Sequence, residues 1–144
     1  MIVNRRLNGE TNDMKHLNIL VVEDDVLLGL TLGDMLEDMG HHVCAVTATV
    51  SGAVADAQKY KPELLIVDAW LKDGSGLSVV EKICKNGHVP HLYASWDISK
   101  ILLTEPDAVA IQKPYQLAEL EAAIERAMVA KAPIAGKNKK SILA

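Results

Sequence analysis

Four apolar runs in this 144-residue chain stop on residues able to handle a phosphoryl group and a hard cation. Ile19-Leu-Val-Val22 runs into Glu23, Asp24 and Asp25, and Leu64-Leu-Ile-Val67 ends on Asp68. The run from Val89 to Ala94 meets Ser95, and the one from Ala108 to Ile111 is followed closely by Lys113. Carboxylates about 4 Å apart repel by roughly 4 kcal/mol per pair at an intermediate dielectric, so a cluster of them calls for a cation. Mg2+ takes oxygen ligands in octahedral geometry and keeps several waters, which suits one or two carboxylates plus a phosphoryl oxygen. Lys113 adds a compact positive charge and Ser95 a hydroxyl donor. In that setting Asp68 can act as a nucleophile toward phosphorus, with cation and lysine neutralising the charge that develops.

These residues are remote in sequence, so the elements that carry them must bring them together. After the first run, Leu28, Leu32, Met35, Leu36 and Met39 fall at helical spacing, with Asp25 able to cap and Gly40 able to end the helix. His42 to Val46 reads as a second strand, and Ser51 opens an Ala-rich helix that stops before Pro62. Leu77, Val80 and Cys84 mark a third helix ending at Gly87, Asp97 to Leu103 a short fourth one, and Leu117, Leu120, Ile124 and Met128 the last. Five βα units with strands apolar on both faces predict an α/β, doubly wound fold: a five-stranded parallel sheet with helices on both sides. In such a sheet, ligands bind beyond the carboxyl ends of the strands, where all the residues named above would stand.

Composition narrows the possibilities. Hydrophobic residues make up 49% and charged residues 24%, close to the globular average, so disorder and fibrous repeats are excluded. With no Phe, two Trp and three Tyr, the core must be aliphatic. No apolar run is long enough to span a membrane, and the first residues lack a signal peptide's apolar stretch, which points to the cytoplasm. Residues 19–130 carry 8 Lys/Arg against 17 Asp/Glu, an acidic body that argues against direct nucleic-acid binding. Residues 1–17 read as a flexible polar leader, 18–130 as the folded domain, and 131–144 as a basic, flexible tail. Cys44 and Cys84 form no CxxC and no metal spacing, and read as reduced thiols. His41, His42, His88 and His91 pair with no Cys or acid at ligand spacing and read as structural or surface residues. Gly74 and Gly76 read as turn residues permitting positive φ.

Together the stretches Ile19-Leu-Val-Val-Glu-Asp-Asp25, Leu65-Ile-Val-Asp-Ala-Trp-Leu-Lys-Asp-Gly-Ser-Gly76, Pro90-His-Leu-Tyr-Ala-Ser95 and Lys113-Pro114 resemble the response-regulator receiver domain of bacterial two-component signalling. The resemblance implies a flavodoxin-like fold in which Asp68 is the phosphoacceptor, Asp24 binds Mg2+ directly and Glu23 through water. It makes the Trp70 backbone carbonyl a further ligand, while Ser95 moves to grasp the phosphoryl group and Lys113 pairs with it. The implied donor is a phosphohistidine on a histidine kinase or histidine phosphotransfer protein, and the only catalysis is self-loading and self-hydrolysis. Two positions depart from the family pattern: Ala110 stands where an aromatic switch residue is usual, and Trp96 where a small residue is usual. Tyr93-Ala94-Ser95 is similar to the Phe-Ala-Thr of a receiver subclass found beside atypical kinases, with Trp96 in place of the Gly expected next. Trp70, Trp96 and Asp97 fall at the site rim, where they would modulate phosphoryl lifetime.

The chain ends soon after the fifth helix, so the expectation is a stand-alone receiver that acts by docking, as a monomer or a phosphorylation-dependent homodimer. The implied docking face joins the fourth helix, fifth strand and fifth helix, with Lys100, Leu103, Gln112 and Tyr115 as candidates. Two other readings compete. A small Mg2+-dependent phosphatase using Asp68 needs a second acid two residues on, where Trp70 stands. A receiver that is never phosphorylated and works as a scaffold has only Ala110 and Trp96 in its favour.

Overall fold

The computed structural model describes residues 16–130, so the expected tail and all but the last two residues of the expected leader lie outside the described residues. Among these two, Leu17 packs into the core at 5% exposure. The elements run β1 (Asn18–Val22), α1 (Val26–Asp38), β2 (His42–Thr47), α2 (Val50–Tyr60), β3 (Leu64–Asp68), β4 (Trp70–Leu71), β5 (Gly74–Ser75), α3 (Gly76–Ile83), β6 (His91–Ser95), α4 (Ser99–Thr104), β7 (Ala110–Gln112) and α5 (Leu117–Val129). The five-stranded sheet has the order β2-β1-β3-β6-β7 with every neighbour pair parallel. The strand order reverses between β1 and β3, which places the crevice of a doubly wound fold at Glu23 and Asp68.

Strand alternation divides the core into two layers. Ile19, Val21, Leu64, Ile66, Leu92 and Ala94 pack with Leu32 and Leu36 of α1 and Leu120, Ala123 and Ile124 of α5. Leu20, Val22, Leu65, Val67 and Tyr93 pack with Ala53 of α2, Val79 and Val80 of α3, and Ile101 of α4. All five residues of β3 are buried, as expected of a central parallel strand covered on both sides.

Local chemistry fixes the element ends. Asp25 caps α1, its Oδ1 accepting the Leu28 amide at 3.1 Å. α2 starts one residue earlier than Ser51 because Thr49 Oγ1 accepts the Gly52 amide at 3.0 Å and supplies the cap. Leu28, read as part of the buried stripe of α1, is 36% exposed, and Val26, Leu27 and Leu30 beside it are more exposed still. The stretch after Asp68 holds a short hairpin of β4 against β5 where only a turn was expected. Gly76 does not take positive φ there. Its requirement is space: a Cβ on Gly76 would sit 2.4 Å from the Asp68 carbonyl oxygen.

Candidate functional site

Three strand ends meet around one carboxylate. Asp68 closes β3, Glu23 and Asp24 follow β1, and Lys113 follows β7. Glu23, Asp24 and Asp68 each offer an oxygen within 4.8 Å of the others. Lys113 Nζ donates to Glu23 Oε1 at 2.8 Å and to Asp68 Oδ2 at 3.2 Å. Glu23, Asp68 and Lys113 are all buried, at 7%, 8% and 6% exposure, so the lysine is held by its charge partners and not by solvent.

Backbone donors hold each acid. Trp70 donates its amide to Asp68 Oδ1 at 3.2 Å, Asp25 donates to Glu23 Oε2 at 3.1 Å, and Lys72 donates to Asp24 Oδ2 at 2.8 Å. Below Asp68, Ala69 donates to the Ala94 carbonyl and Gly76 donates to that of Ala69, pinning the strand end to β6 and to the start of α3. The Lys113 amide donates to the Ser95 carbonyl at 2.7 Å, which aligns the lysine with the end of β6.

One ammonium among three carboxylates leaves the site with two uncompensated negative charges when all are ionised. Burial pushes the Glu23 carboxyl above its ordinary range, and Asp68 adds to this against the pull of Lys113. Burial works to lower the Lys113 pKa, yet the Glu23 hydrogen bond and the charges of Asp68 and Glu23 leave it above the ordinary lysine range. Lys113 is therefore a fixed cation, and the remaining negative charge suits a divalent oxygen-loving ion.

Ser95 stands at the same edge, 1% exposed, and its hydroxyl is engaged by the backbone of the loop that follows. Its Oγ donates to the Asp97 carbonyl at 3.2 Å and accepts the Asp97 amide at 3.1 Å. Asp97 itself is exposed, and its Oδ1 accepts the Ser99 amide at 3.0 Å at the start of α4. Trp96 is 60% exposed and lies over the lysine, with Lys113 Nζ 5.6 Å from its ring centroid. Trp70 is 48% exposed at the neighbouring hairpin.

A family model for the response regulator receiver domain matches residues 19–125. The chain belongs to the response regulator receiver family. It is 36% identical over 114 residues to the phyllosphere-induced regulator PhyR of Methylorubrum extorquens, covering 76% of this chain and 43% of that protein. Among solved structures, the receiver domain of PhyR from Erythrobacter litoralis has a TM-score of 0.73 at 30% identity, covering 85% of this chain and 98% of that one. A double mutant of the anti-anti-sigma factor PhyR from Bartonella quintana has a TM-score of 0.72 at 25% identity, over 81% of this chain and 50% of that one. This receiver thus spans about half the length of the PhyR proteins it resembles.

Three features of the receiver site escaped the sequence reading. Gly76 serves Asp68 by close approach, a fact invisible without the backbone path. Gln112, a candidate on the implied docking face, donates from Nε2 to the Trp96 carbonyl and accepts the Ile98 amide at Oε1 at 3.3 Å. Tyr115, taken as a docking residue too, is half-buried against the α1/α5 layer, and burial with the nearby charges of Glu23 and Asp68 pushes its hydroxyl up to about 12. Lys100 and Leu103 of α4 are exposed as expected. Ala110 lies directly across from buried Tyr93 in the β6–β7 register, so the aromatic ring at this place in the sheet comes from the neighbouring strand. The histidine reading needs correction: Cys84, His88 and His91 do converge.

Proposed function

We propose that this receiver is a phosphorylation-dependent switch in which Asp68 accepts a phosphoryl group from a phosphohistidine on a histidine kinase or phosphotransfer protein. The observation that carries the reading is the Asp68 carboxylate, buried at the strand-order reversal with Lys113 Nζ at 3.2 Å and two further acids beside it. The donor set fits Mg2+, with Asp24, Asp68, the Trp70 carbonyl and, through water, Glu23 as its holders. Bound there, the ion would neutralise charge on the transferring phosphoryl oxygens. Asp68 supplies the attacking oxygen, the P–N bond to the donor imidazole breaks, and Lys113 faces the anion that results. Burial of Asp68 and the roof formed by Trp96 limit the approach of water to the acyl phosphate.

Signal leaves the site by the loop after β6. Ser95 can either hold the Asp97 backbone or turn to a phosphoryl oxygen, and the second choice frees the loop that Gln112 clasps. That route replaces the aromatic missing at Ala110. The output is protein docking through α4, β7 and α5, a mode consistent with the anti-anti-sigma description of the Bartonella relative. Phosphohistidine donors and two unpaired cysteines fit the bacterial cytoplasm.

Incubation with Mg2+ and acetyl phosphate, followed by intact mass, tests the reading. One added phosphoryl group, absent in Asp68→Asn and absent without Mg2+, is the expected result. No modification by acetyl phosphate or by phosphohistidine proteins would leave a scaffold, and sustained turnover of a small phosphate ester would make the protein a phosphatase.

A further inference from the structure

At the end of β6 opposite Ser95, the Cys84 thiol and the imidazoles of His88 and His91 each bring one ligand atom within 4.8 Å of the others. The convergence comes from the path between α3 and β6. Cys84–Asn86 make a single 3-10 turn after α3, Gly87 takes φ 141°, and the chain re-enters the sheet at His91. Only glycine adopts that φ without strain, so the reversal that folds two histidines back over the cysteine is built into the sequence.

The groups around the cluster are arranged as outer partners of metal ligands usually are. The Val89 amide points at Cys84 Sγ at 3.4 Å, a donor suited to a thiolate. His91 Nδ1 lies 2.8 Å from the Val89 carbonyl, so Nδ1–H donates there and the Nε2 lone pair is left free. The Glu105 carboxylate is close enough to act on His91 electrostatically, adding negative charge on this side. His88 is exposed, and its ring centroid is 5.7 Å from that of His91. A tetrahedral ion holds its ligands about 3.5 Å apart, a contraction that rotation of His88 can supply.

We propose that Cys84, His88 and His91 form a second metal site, selective for Zn2+ and similar borderline ions, which clasps the turn after α3 to the start of β6. One thiolate with two imidazoles is a soft donor set that Mg2+ avoids, so it is chemically distinct from the Asp68 cluster. Binding forms one metal–sulfur and two metal–nitrogen bonds and releases the Cys84 thiol proton to solvent, leaving a fourth position for water.

The test is a Co2+ titration of the full chain with excess Mg2+ present to saturate the acidic cluster. The expected result is a thiolate-to-cobalt charge-transfer band that saturates at one equivalent and is bleached by Zn2+. Cys84→Ser should abolish the band, while Cys44→Ser and Asp24→Asn should leave it intact. His88→Ala, at an exposed position where folding is not at risk, should weaken affinity by about tenfold or more. Absence of the band in the unsubstituted protein would overturn the proposal, as would a band that survives undiminished in both His88→Ala and His91→Ala.

Discussion

Lys113 Nζ sits closer to Glu23 than to Asp68, 2.8 Å against 3.2 Å, so the lysine divides its charge between two strand ends. Removing it strands buried acids. Lys113→Met is expected to lower stability by about 3 kcal/mol in chelator, the usual cost of breaking a buried pair from one side. With Mg2+ saturating, the deficit should shrink, because the ion takes over the compensation. Urea melts of both proteins, with and without Mg2+, check this; a deficit unchanged by Mg2+ would separate the lysine from the metal cluster.

Gly76 sets the position of Asp68 through contact and not through chemistry. A methyl group at Gly76 meets the Asp68 carbonyl oxygen at 2.4 Å, a Val67 methyl at 2.8 Å and the Ala69 Cα at 3.2 Å. Two of these three atoms are backbone, so the strand end must shift. Gly76→Ala is expected to cost about 1–3 kcal/mol, as overpacking does. It should also slow Asp68 modification by acetyl phosphate, whereas Gly87→Ala, remote from the acids, should leave that rate alone. Intact-mass time courses distinguish the two.

The architecture was legible because its causes are local. The alternation of β1 and β3, the Asp25 cap and the five βα units are written in residue type and spacing, and the structure follows them. The acids, Lys113 and the strand ends were legible for the same reason: parallel strands present their carboxyl ends together. What stayed hidden depended on the path of the backbone between elements. The role of Gly76 depends on where the Asp68 carbonyl points, and the convergence of Cys84 with His88 and His91 on a turn whose φ no spacing rule reports. Gln112 alternates outward on β7 and reads as surface, yet its amide reaches the loop after Ser95 because the two residues are register partners.

That register makes Gln112 a measurable clasp. Its side chain satisfies both the Trp96 carbonyl and the Ile98 amide, and Gln112→Ala removes both bonds. Loss of a hydrogen bond worth about 1 kcal/mol should raise exchange at the Ile98 amide by roughly five- to tenfold. The core amides of β3 should not change. If phosphorylation opens the same loop, phosphorylated native protein and unphosphorylated Gln112→Ala will show exchange gains over the same residues, 96–98. Gains at different residues would assign the signal to another element.

Acid sensitivity follows from His41. It is 6% exposed, and its Nδ1 accepts the Leu17 amide at 3.1 Å, a bond that protonation of that nitrogen destroys. Burial, with the neighbouring His16, holds its pKa below the ordinary 6.5. The unfolded chain therefore binds the proton first as pH falls through 6.5, and stability declines below that value. Burial lowers His91 in the same direction. Glu23 acts with the opposite sign, since burial raises it from 4.5, so it offsets part of the histidine effect as pH falls from its raised value towards 4.5. The slope is bounded by one proton per histidine, about 1.4 kcal/mol per pH unit each. Urea midpoints in chelator should fall between about pH 7 and pH 5.5. His41→Asn should start lower at neutral pH yet decline less steeply, and identical slopes would remove His41 from the titration.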